Sequence, residues 1–164
     1  MTRIRPDQPL IPSVLDRLLD YEPDVARDPP KARHHLLREL RASVRRDLEQ
    51  LLNTRRRASE TPPHLKELVP SLAHYGLPDF HTLNLADDVV REELRQSIER
   101  LIRTYEPRFK TVRVELLENI EKLDFTLRFR VHALLHAEPA PEPVTFDSAL
   151  EPTTGQFQLK GGDK

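Results

Sequence analysis

The sequence predicts an α+β fold: two long helices packed on a small, mainly antiparallel sheet, with a proline-rich N-terminal arm that carries a short helix. Apolar residues recur at steps of three and four over two long segments, which is typical of amphipathic helices. After residue 108 the apolar residues alternate, which is typical of strands. The 15 prolines cluster outside these periodic segments and there are only 4 glycines, which favours one compact core with extended arms.

The N-terminal arm is predicted at residues 1–30, before a single domain at residues 31–164. Ser13 is a candidate N-cap for a short helix. The apolar residues of this helix stand at helical spacing: Val14, Leu15, Leu18 and Leu19. A helix this short is not stable alone. We therefore expect its apolar face to dock on a partner protein, with the following proline-rich segment as a linker.

Two long helices follow, predicted at residues 32–53 and 87–105. The first carries leucines and Val44 along one face and arginines along the other. The second begins with Asp87 and Asp88, where acidic side chains favour the helix N-terminus, and Glu99 and Arg103 form an i,i+4 pair on its surface. The segment between the helices holds one or two helical turns. Three of its residues are expected to contact the core: Tyr75, Leu77 and Phe80.

Alternation predicts the strands of the sheet. Residues 112–117 and 124–136 read as a hairpin, the second segment being the clearest strand in the chain. A short strand is expected over residues 144–147, and a last strand over residues 155–160. Because the residue 144–147 segment lies between proline blocks, and proline cannot donate to a strand ladder, it is expected at a sheet edge.

Composition and motifs argue against most classes of chemistry. The net charge is −1, there is no cysteine, and no apolar run is long enough to span a membrane. The N-terminus lacks the apolar region of a signal peptide, so the expected location is the cytoplasm. The sequence contains neither a phosphate-binding glycine loop nor a Gly-x-Ser-x-Gly elbow. We expect no catalytic residues, no metal, no cofactor, no small-molecule substrate and no bound nucleic acid.

Two sets of polar residues nevertheless invite a functional reading. His132 and His136 lie about 13 Å apart if both belong to one strand, which is too far to share a metal ion. The arginines near the first long helix could contact phosphate, but the interleaved aromatic residues of nucleic-acid readers are missing. A solvated face or a protein contact is the better interpretation of these arginines.

The junction Glu106-Pro107-Arg108 joins the second helix to the first strand without a loop. Pro107 cannot donate a backbone hydrogen bond and disfavours helical geometry at Glu106, so the helix must end there. This explains the proline but not the two charges beside it. A helix stop with exposed charges and a docking point for another chain both fit these residues.

The ordered segments resemble a known family. They are "SVLDRLLD", "LRASVRRDLEQLLNTRR", "AHYGLPDF", the Glu-Pro-Arg of "YEPRF", "VRVELLENIEKLDFTLRFRVHALL" and "EPAPEPVTFDSALEP". Together they resemble the TssE family of baseplate wedge subunits of bacterial type VI secretion systems. That family is homologous to the sheath-initiating wedge proteins of contractile phage tails, the GPW/gp25-like family. "SVLDRLLD" favours the secretion-system branch.

The resemblance implies a structural protein and not an enzyme. In the TssE family the subunit joins TssF, TssG and TssK in the cytoplasm, in a baseplate docked near the inner membrane. A strand of the TssB/TssC sheath adds to its sheet and starts the contractile sheath. The Glu-Pro-Arg signature contacts the core bundle of the wedge, which implies an interface role for Glu106, Pro107 and Arg108.

For sheath docking, the expected edge strand supplies Val144, Thr145 and Phe146. Two other functional classes remain as alternatives at this stage. One is a glycan hydrolase, as an inherited "lysozyme" label for such proteins suggests, and a cleft holding two carboxylates would favour it. The other is a nucleic-acid-binding α+β domain, which steeply salt-dependent duplex binding would favour.

Overall fold

A computed structural model describes most of the chain: residues 13–19, 23–24, 32–57, 62, 64–68, 70–80, 87–117, 127–137, 140–151 and 156–161. The α-helices are α1 (Val14–Leu18), α2 (Arg33–Asn53) and α3 (Asp88–Tyr105), and two short 3₁₀ turns occupy Lys66–Leu68 and Leu72–His74. The strands are β1 (Phe109–Leu117), β2 (Arg128–Leu135), β3 (Glu142–Glu151) and β4 (Gln156–Gly161). The predicted α+β class is confirmed.

The two long helices lie within one residue of their predicted bounds. Asp87 caps α3, since its side chain accepts a hydrogen bond of 2.9 Å from the backbone N–H of Val89. The last turn of α3 closes with a bond from the N–H of Glu106 to the carbonyl of Ile102. No described helix is both long and apolar enough to cross a bilayer.

The four strands form one antiparallel sheet in the order β1-β2-β3-β4. The predicted hairpin of β1 and β2 is confirmed, with Val114 opposite Val131. The predicted turn and the start of the second strand, residues 118–126, lie outside the described residues. The last predicted strand is β4, which pairs with β3 from Gln156 to Gly161.

Both helices cover the same face of the sheet, α3 over β1 and α2 over β4. Alternate residues of each strand therefore enter the core and the others face solvent. The largest fully buried side chains come from all four strands and both long helices, and include Leu48, Ile98, Phe129, Phe146 and Phe157. Leu77 and Phe80 are buried as predicted, because backbone hydrogen bonds join Leu77 to the end of α2.

The prediction of an edge strand at residues 144–147 is wrong. These residues belong to β3, which runs for ten residues between β2 and β4. Val144 and Phe146 are core residues, and only Thr145 of the three is exposed. Among the strands that the structure describes, β1 and β4 lie at the edges of the sheet.

The alternation of hydrogen bonds explains why Pro143 is tolerated in an interior strand. The N–H of Leu150 bonds to Leu127, which precedes β2, so even-numbered residues of β3 direct their backbone groups towards β2. The nitrogen of Pro143 therefore points to the β4 side. β4 pairs with β3 only from Phe146 onwards, so no residue of β4 lies opposite Pro143. The missing N–H of Pro143 therefore removes no hydrogen bond between β3 and β4.

Candidate functional site: a charged corner between α3 and β1

The junction between α3 and β1 is a tight turn. The N–H of Phe109 bonds to the carbonyl of Glu106 at 3.3 Å, which places Pro107 and Arg108 at the two central positions of the turn. Proline is favoured at the first central position because its fixed φ suits it. The sequence thus turns the chain through a sharp angle directly after the helix, with Pro107 exposed at the apex.

The two charges of the turn bind each other. The guanidinium of Arg108 donates two hydrogen bonds to the carboxylate of Glu106: Nε lies 2.6 Å from Oε1, and Nη2 binds Oε2. The backbone N–H of Arg108 donates a third bond, of 3.2 Å, to Oε1. Glu106 is only 4% exposed. Such a forked pair is stronger and more directional than a single ionic contact. Glu106 is therefore a buried carboxylate whose charge Arg108 neutralises.

Arg108 also ties the turn to α2. Its Nη2 lies 2.6 Å from Oδ2 of Asp47, and its Nη1 donates to the hydroxyl of Ser43 at 3.1 Å. Burial alone would lower the pKa of Arg108, but the bonds to Glu106 and Asp47 raise it above its usual value. The guanidinium is thus fixed by two residues of α2 and by Glu106 of the turn.

Helix α1 joins the same cluster through Asp16. The carboxylate of Asp16 accepts hydrogen bonds from the hydroxyl of Ser43 and from Arg46, whose Nη2 is 2.6 Å from Oδ1. Asp16 also forms a capping box with Ser13 at the start of α1. We call the joined side chains the corner network: Asp16, Ser43, Arg46, Asp47, Glu106 and Arg108.

The corner network lowers the pKa of Asp16. Burial would raise it, but the hydrogen bonds from Ser13, Ser43 and Arg46 outweigh burial and hold the pKa of this carboxyl well below its usual range. Asp16 is therefore ionised at neutral pH, and its charge holds α1 against α2.

The apolar side of α1 points away from the domain. Val14 and Leu18 are 74% and 75% exposed, and Leu15 and Leu19 are about half exposed. Since α1 contacts α2 through Asp16, the polar contact and the exposed apolar face lie on different sides of this one short helix. Docking of these four residues on a partner stays a prediction.

A cleft of about 440 Å³ lies beside the corner network. It is lined by Ser13, Leu51, Tyr75, Tyr105 and Pro107, among others, with the carboxylates of Asp47 and Glu106 in its wall. The two tyrosine rings meet edge to face, with centroids 5.2 Å apart. Both carboxylates bind Arg108, so the cleft offers no free acid and base pair for glycan hydrolysis.

Other chemistry finds little support in the part of the chain that the structure describes. It contains no cluster of three or more histidine, aspartate or glutamate residues that could hold a metal ion. His132 faces solvent and lies 3.4 Å from Glu115 on the neighbouring strand. His136 follows the end of β2. Two arginines of α2 already form ion pairs within the protein: Arg41 pairs with Glu142, and Arg46 pairs with Asp16 and Asp47.

The structure corrects the interpretation of Arg108 as an exposed charge. Its side chain is 21% exposed and is held by three other residues. Of the three predicted interface residues at the junction, Glu106 is buried, Arg108 is partly buried and Pro107 is exposed.

Sequence reasoning missed Asp16, Ser43 and Asp47. The sequence-level clue was a serine and an aspartate on the otherwise apolar and basic faces of the first long helix.

Comparison with known families identifies a match to part of the chain. The family model described as baseplate wedge protein gp25 matches residues 38–140, more than half of the 164 residues. This range includes most of α2, all of α3, the corner turn and the first two strands. A comparison with curated proteins finds no match.

Proposed function

Because the chain belongs to the baseplate wedge protein gp25 family, we propose that it is the wedge subunit of a type VI secretion system baseplate. In this role it joins TssF, TssG and TssK in the cytoplasm, near the inner membrane, and starts the TssB/TssC sheath. The family is one of structural baseplate proteins. The segment "SVLDRLLD", which contains α1, supports the secretion-system branch.

The observation that carries the proposal is the apolar face of α1 beside the corner. Four exposed apolar side chains in a helix of five residues and its C-cap are costly in water and suit a protein contact: Val14, Leu15, Leu18 and Leu19. Asp16 fixes this helix to α2, so the face is held in place before any partner arrives. Preorganisation of this kind lowers the entropy cost of association.

The charges of the corner serve the wedge contact indirectly. Glu106 and Arg108 bind each other and Arg108 also binds α2, so the pair holds the turn rigid and presents Pro107 at its apex. A wedge partner then meets Pro107, the α1 face and the cleft lined by Tyr75 and Tyr105. In this arrangement, apolar contacts supply the affinity for the partner, and the corner network holds the turn and α1 in the positions in which the partner binds them.

Co-purification tests the wedge contact. The double variant Val14→Glu, Leu18→Glu places two charges on the α1 face, and we expect it to lose TssF and TssG from a co-expressed complex. Val89→Glu is the matched control. Val89 is likewise an exposed apolar residue, at 66%, but it lies at the start of α3, and the corner lies at the end of that helix. Co-purification of the double variant at the wild-type level would exclude α1 from the wedge interface.

The sheet is the proposed starting point of the sheath. A sheath strand adds to a sheet edge through main-chain hydrogen bonds, and the available edges are β1 and β4. Cells that lack this protein should assemble baseplate foci without fluorescent sheath filaments, and the wild-type gene should restore the filaments. Normal filaments in its absence would contradict the role in sheath initiation.

The proposed function involves no enzymatic activity. Both carboxylates at the corner cleft are bound by Arg108, and we expect no turnover of peptidoglycan by the purified protein. Turnover that a single Asp or Glu substitution abolishes would overturn this assignment in favour of a glycan hydrolase.

A further inference from the structure

The outer edge of β1 is the edge that does not pair with β2. Charged side chains of α3 form hydrogen bonds with its backbone. Arg103 donates to the carbonyl of Val112 at 2.9 Å, and Arg95 donates to the carbonyl of Val114 at 3.0 Å. Glu99 accepts the backbone N–H of Val114 at 3.1 Å. Three side chains thus occupy three outward backbone groups of Val112 and Val114, where a neighbouring strand would form its ladder.

Glu92 lies 2.7 Å from Arg95, so Glu92 and these three side chains together form a group without net charge. Glu99 lies 2.8 Å from Arg95 and 2.7 Å from Arg103. The ion pairs can therefore persist when the bonds to β1 are released, and no uncompensated charge is left behind. Arg103 is the outermost member, with 59% of its side chain exposed. Its release is consequently the easiest step in opening the edge.

A groove of about 530 Å³ runs beside this edge. Its walls include Glu92, Arg95, Glu99 and Arg103 from α3, and Arg113 and Glu115 from the outer face of β1. The groove is lined by equal numbers of these positive and negative side chains, together with Val114 and Leu116 of β1. It suits an extended segment with polar side chains beside Arg113 and Glu115 and small apolar ones at the alternate positions below α3.

The β4 edge is closed in a different way. The amide of Asn53 both donates to the carbonyl of Phe157 at 2.9 Å and accepts its N–H at 2.7 Å. An incoming strand that displaced this amide would break both hydrogen bonds at once. The neutral amide of Asn53 forms no ion pair, whereas the charged side chains at β1 keep theirs. The β4 strand also has six residues where β1 has nine. The β1 edge is therefore the better acceptor for a strand.

We propose that β1 is the docking edge for an extended strand of the sheath subunit, and that Arg95, Glu99 and Arg103 are a releasable cap that this strand replaces. The inference rests on the proposed role in sheath initiation. In the free protein the cap satisfies the edge and prevents pairing with unrelated strands. In the assembly, the incoming backbone takes over the bonds to Val112 and Val114.

Site-specific cross-linking tests the choice of edge. The chain has no cysteine, so Arg113→Cys and Lys160→Cys each provide one thiol, on the exposed outer face of β1 and β4 respectively. Each variant is labelled with a benzophenone maleimide and illuminated with the purified TssB–TssC heterodimer. We expect a cross-link to the sheath subunit at position 113 and none at position 160.

The other outcomes separate the inference from the proposed function. A cross-link at position 160 alone would move docking to β4 and leave sheath initiation intact. Absence of both cross-links would count against strand addition itself and therefore against the sheath part of the proposed function. A cross-linked dimer of the chain at position 113 would assign the groove to a second copy.

Binding measurements test the cap. Arg103→Ala frees the carbonyl of Val112, so we expect the heterodimer to bind about two- to fivefold tighter, which is the scale of one exposed charged contact. Arg100→Ala is the control, because Arg100 is an exposed arginine on the same helix and is not one of the three side chains that bind the outer edge of β1. Unchanged or weaker binding of Arg103→Ala would show that the cap does not compete with the strand.

Discussion

At the scale of single residues, the corner depends on Arg108. One guanidinium binds a buried carboxylate in its own turn and a second carboxylate and a hydroxyl on α2. A buried charge is tolerated only while its partners remain. Glu106 is 4% exposed, so its stability in the fold depends on Arg108 and the adjacent backbone.

Arg108→Ala should destabilise the isolated protein. Removal of the guanidinium leaves the Glu106 carboxylate buried without its counter-charge, at a cost of about 2–4 kcal/mol; a fully buried pair would cost somewhat more. Chemical denaturation at neutral pH measures the loss. Arg113→Ala, an exposed arginine on β1, should change the free energy of unfolding by no more than about 0.5 kcal/mol. A loss below about 1 kcal/mol for Arg108→Ala would mean that the network contributes little.

Asp16 should make the attachment of α1 dependent on pH. Its pKa is held well below the ordinary value of about 3.9. A depressed pKa contributes stability that is fully present above the ordinary pKa and is lost as the pH falls through the folded-state pKa. Asp16→Asn should therefore cost about 1 kcal/mol at pH 7.

The measurement is the free energy of unfolding of both proteins between pH 7 and pH 3. The difference between wild type and Asp16→Asn should shrink as the pH falls below about 4, because Asp16 then binds a proton in the unfolded wild type, which favours unfolding. A difference that stays constant across this range would show that the ionised carboxylate is not what holds α1.

At the scale of secondary-structure elements, β3 shows how proline can mislead. Its central part alternates between core and solvent as a half-buried strand should, with Phe146 and Ser148 buried and Thr145 and Asp147 exposed. Prolines near its ends suggested an edge, but Pro143 lies before the stretch paired with β4. The position of proline within the ladder decides its cost, and sequence spacing does not reveal that position.

Phe146→Ala should lower the free energy of unfolding by about 3–5 kcal/mol, since Phe146 is fully buried between the sheet and the helices. Thr145→Ala on the same strand should change it by no more than about 0.5 kcal/mol, because Thr145 faces solvent. Urea unfolding of both variants checks the contrast. Similar losses for the two would contradict the orientation of β3.

At the scale of the whole molecule, the sheet is covered on one face by both long helices and its edges are bonded to polar side chains of the same helices. Arg95, Glu99 and Arg103 close β1, and Asn53 bonds to Phe157 in β4. Each helix thus covers the core and also protects the nearest strand edge. This arrangement separates folding of the subunit from its assembly with others.

The isolated protein should therefore be a monomer of 19.1 kDa at micromolar concentration. Light scattering after size exclusion gives the mass directly. The double variant Glu99→Ala, Arg103→Ala opens the β1 edge and should shift the protein towards dimers or larger species. A wild-type dimer would show that the side-chain cap does not prevent pairing between copies.

The sequence alone determined the fold class, the bounds of α2 and α3, and the hairpin of β1 and β2. These features follow from local periodicity, which the burial of one face imposes on a helix or strand. The helix stop at Glu106 followed likewise from the chemistry of Pro107.

Only the tertiary structure decided the partners of each charge and the order of the strands. Nothing local distinguishes a charge that faces solvent from one that binds a residue 61 positions away, as Arg108 binds Asp47. The same holds for β3, whose interior place depends on β4 pairing with it from the far end of the chain. Long-range pairing depends on which surfaces meet in the folded molecule. Sequence periodicity predicts which face of an element is buried, but it does not identify the element that packs against that face.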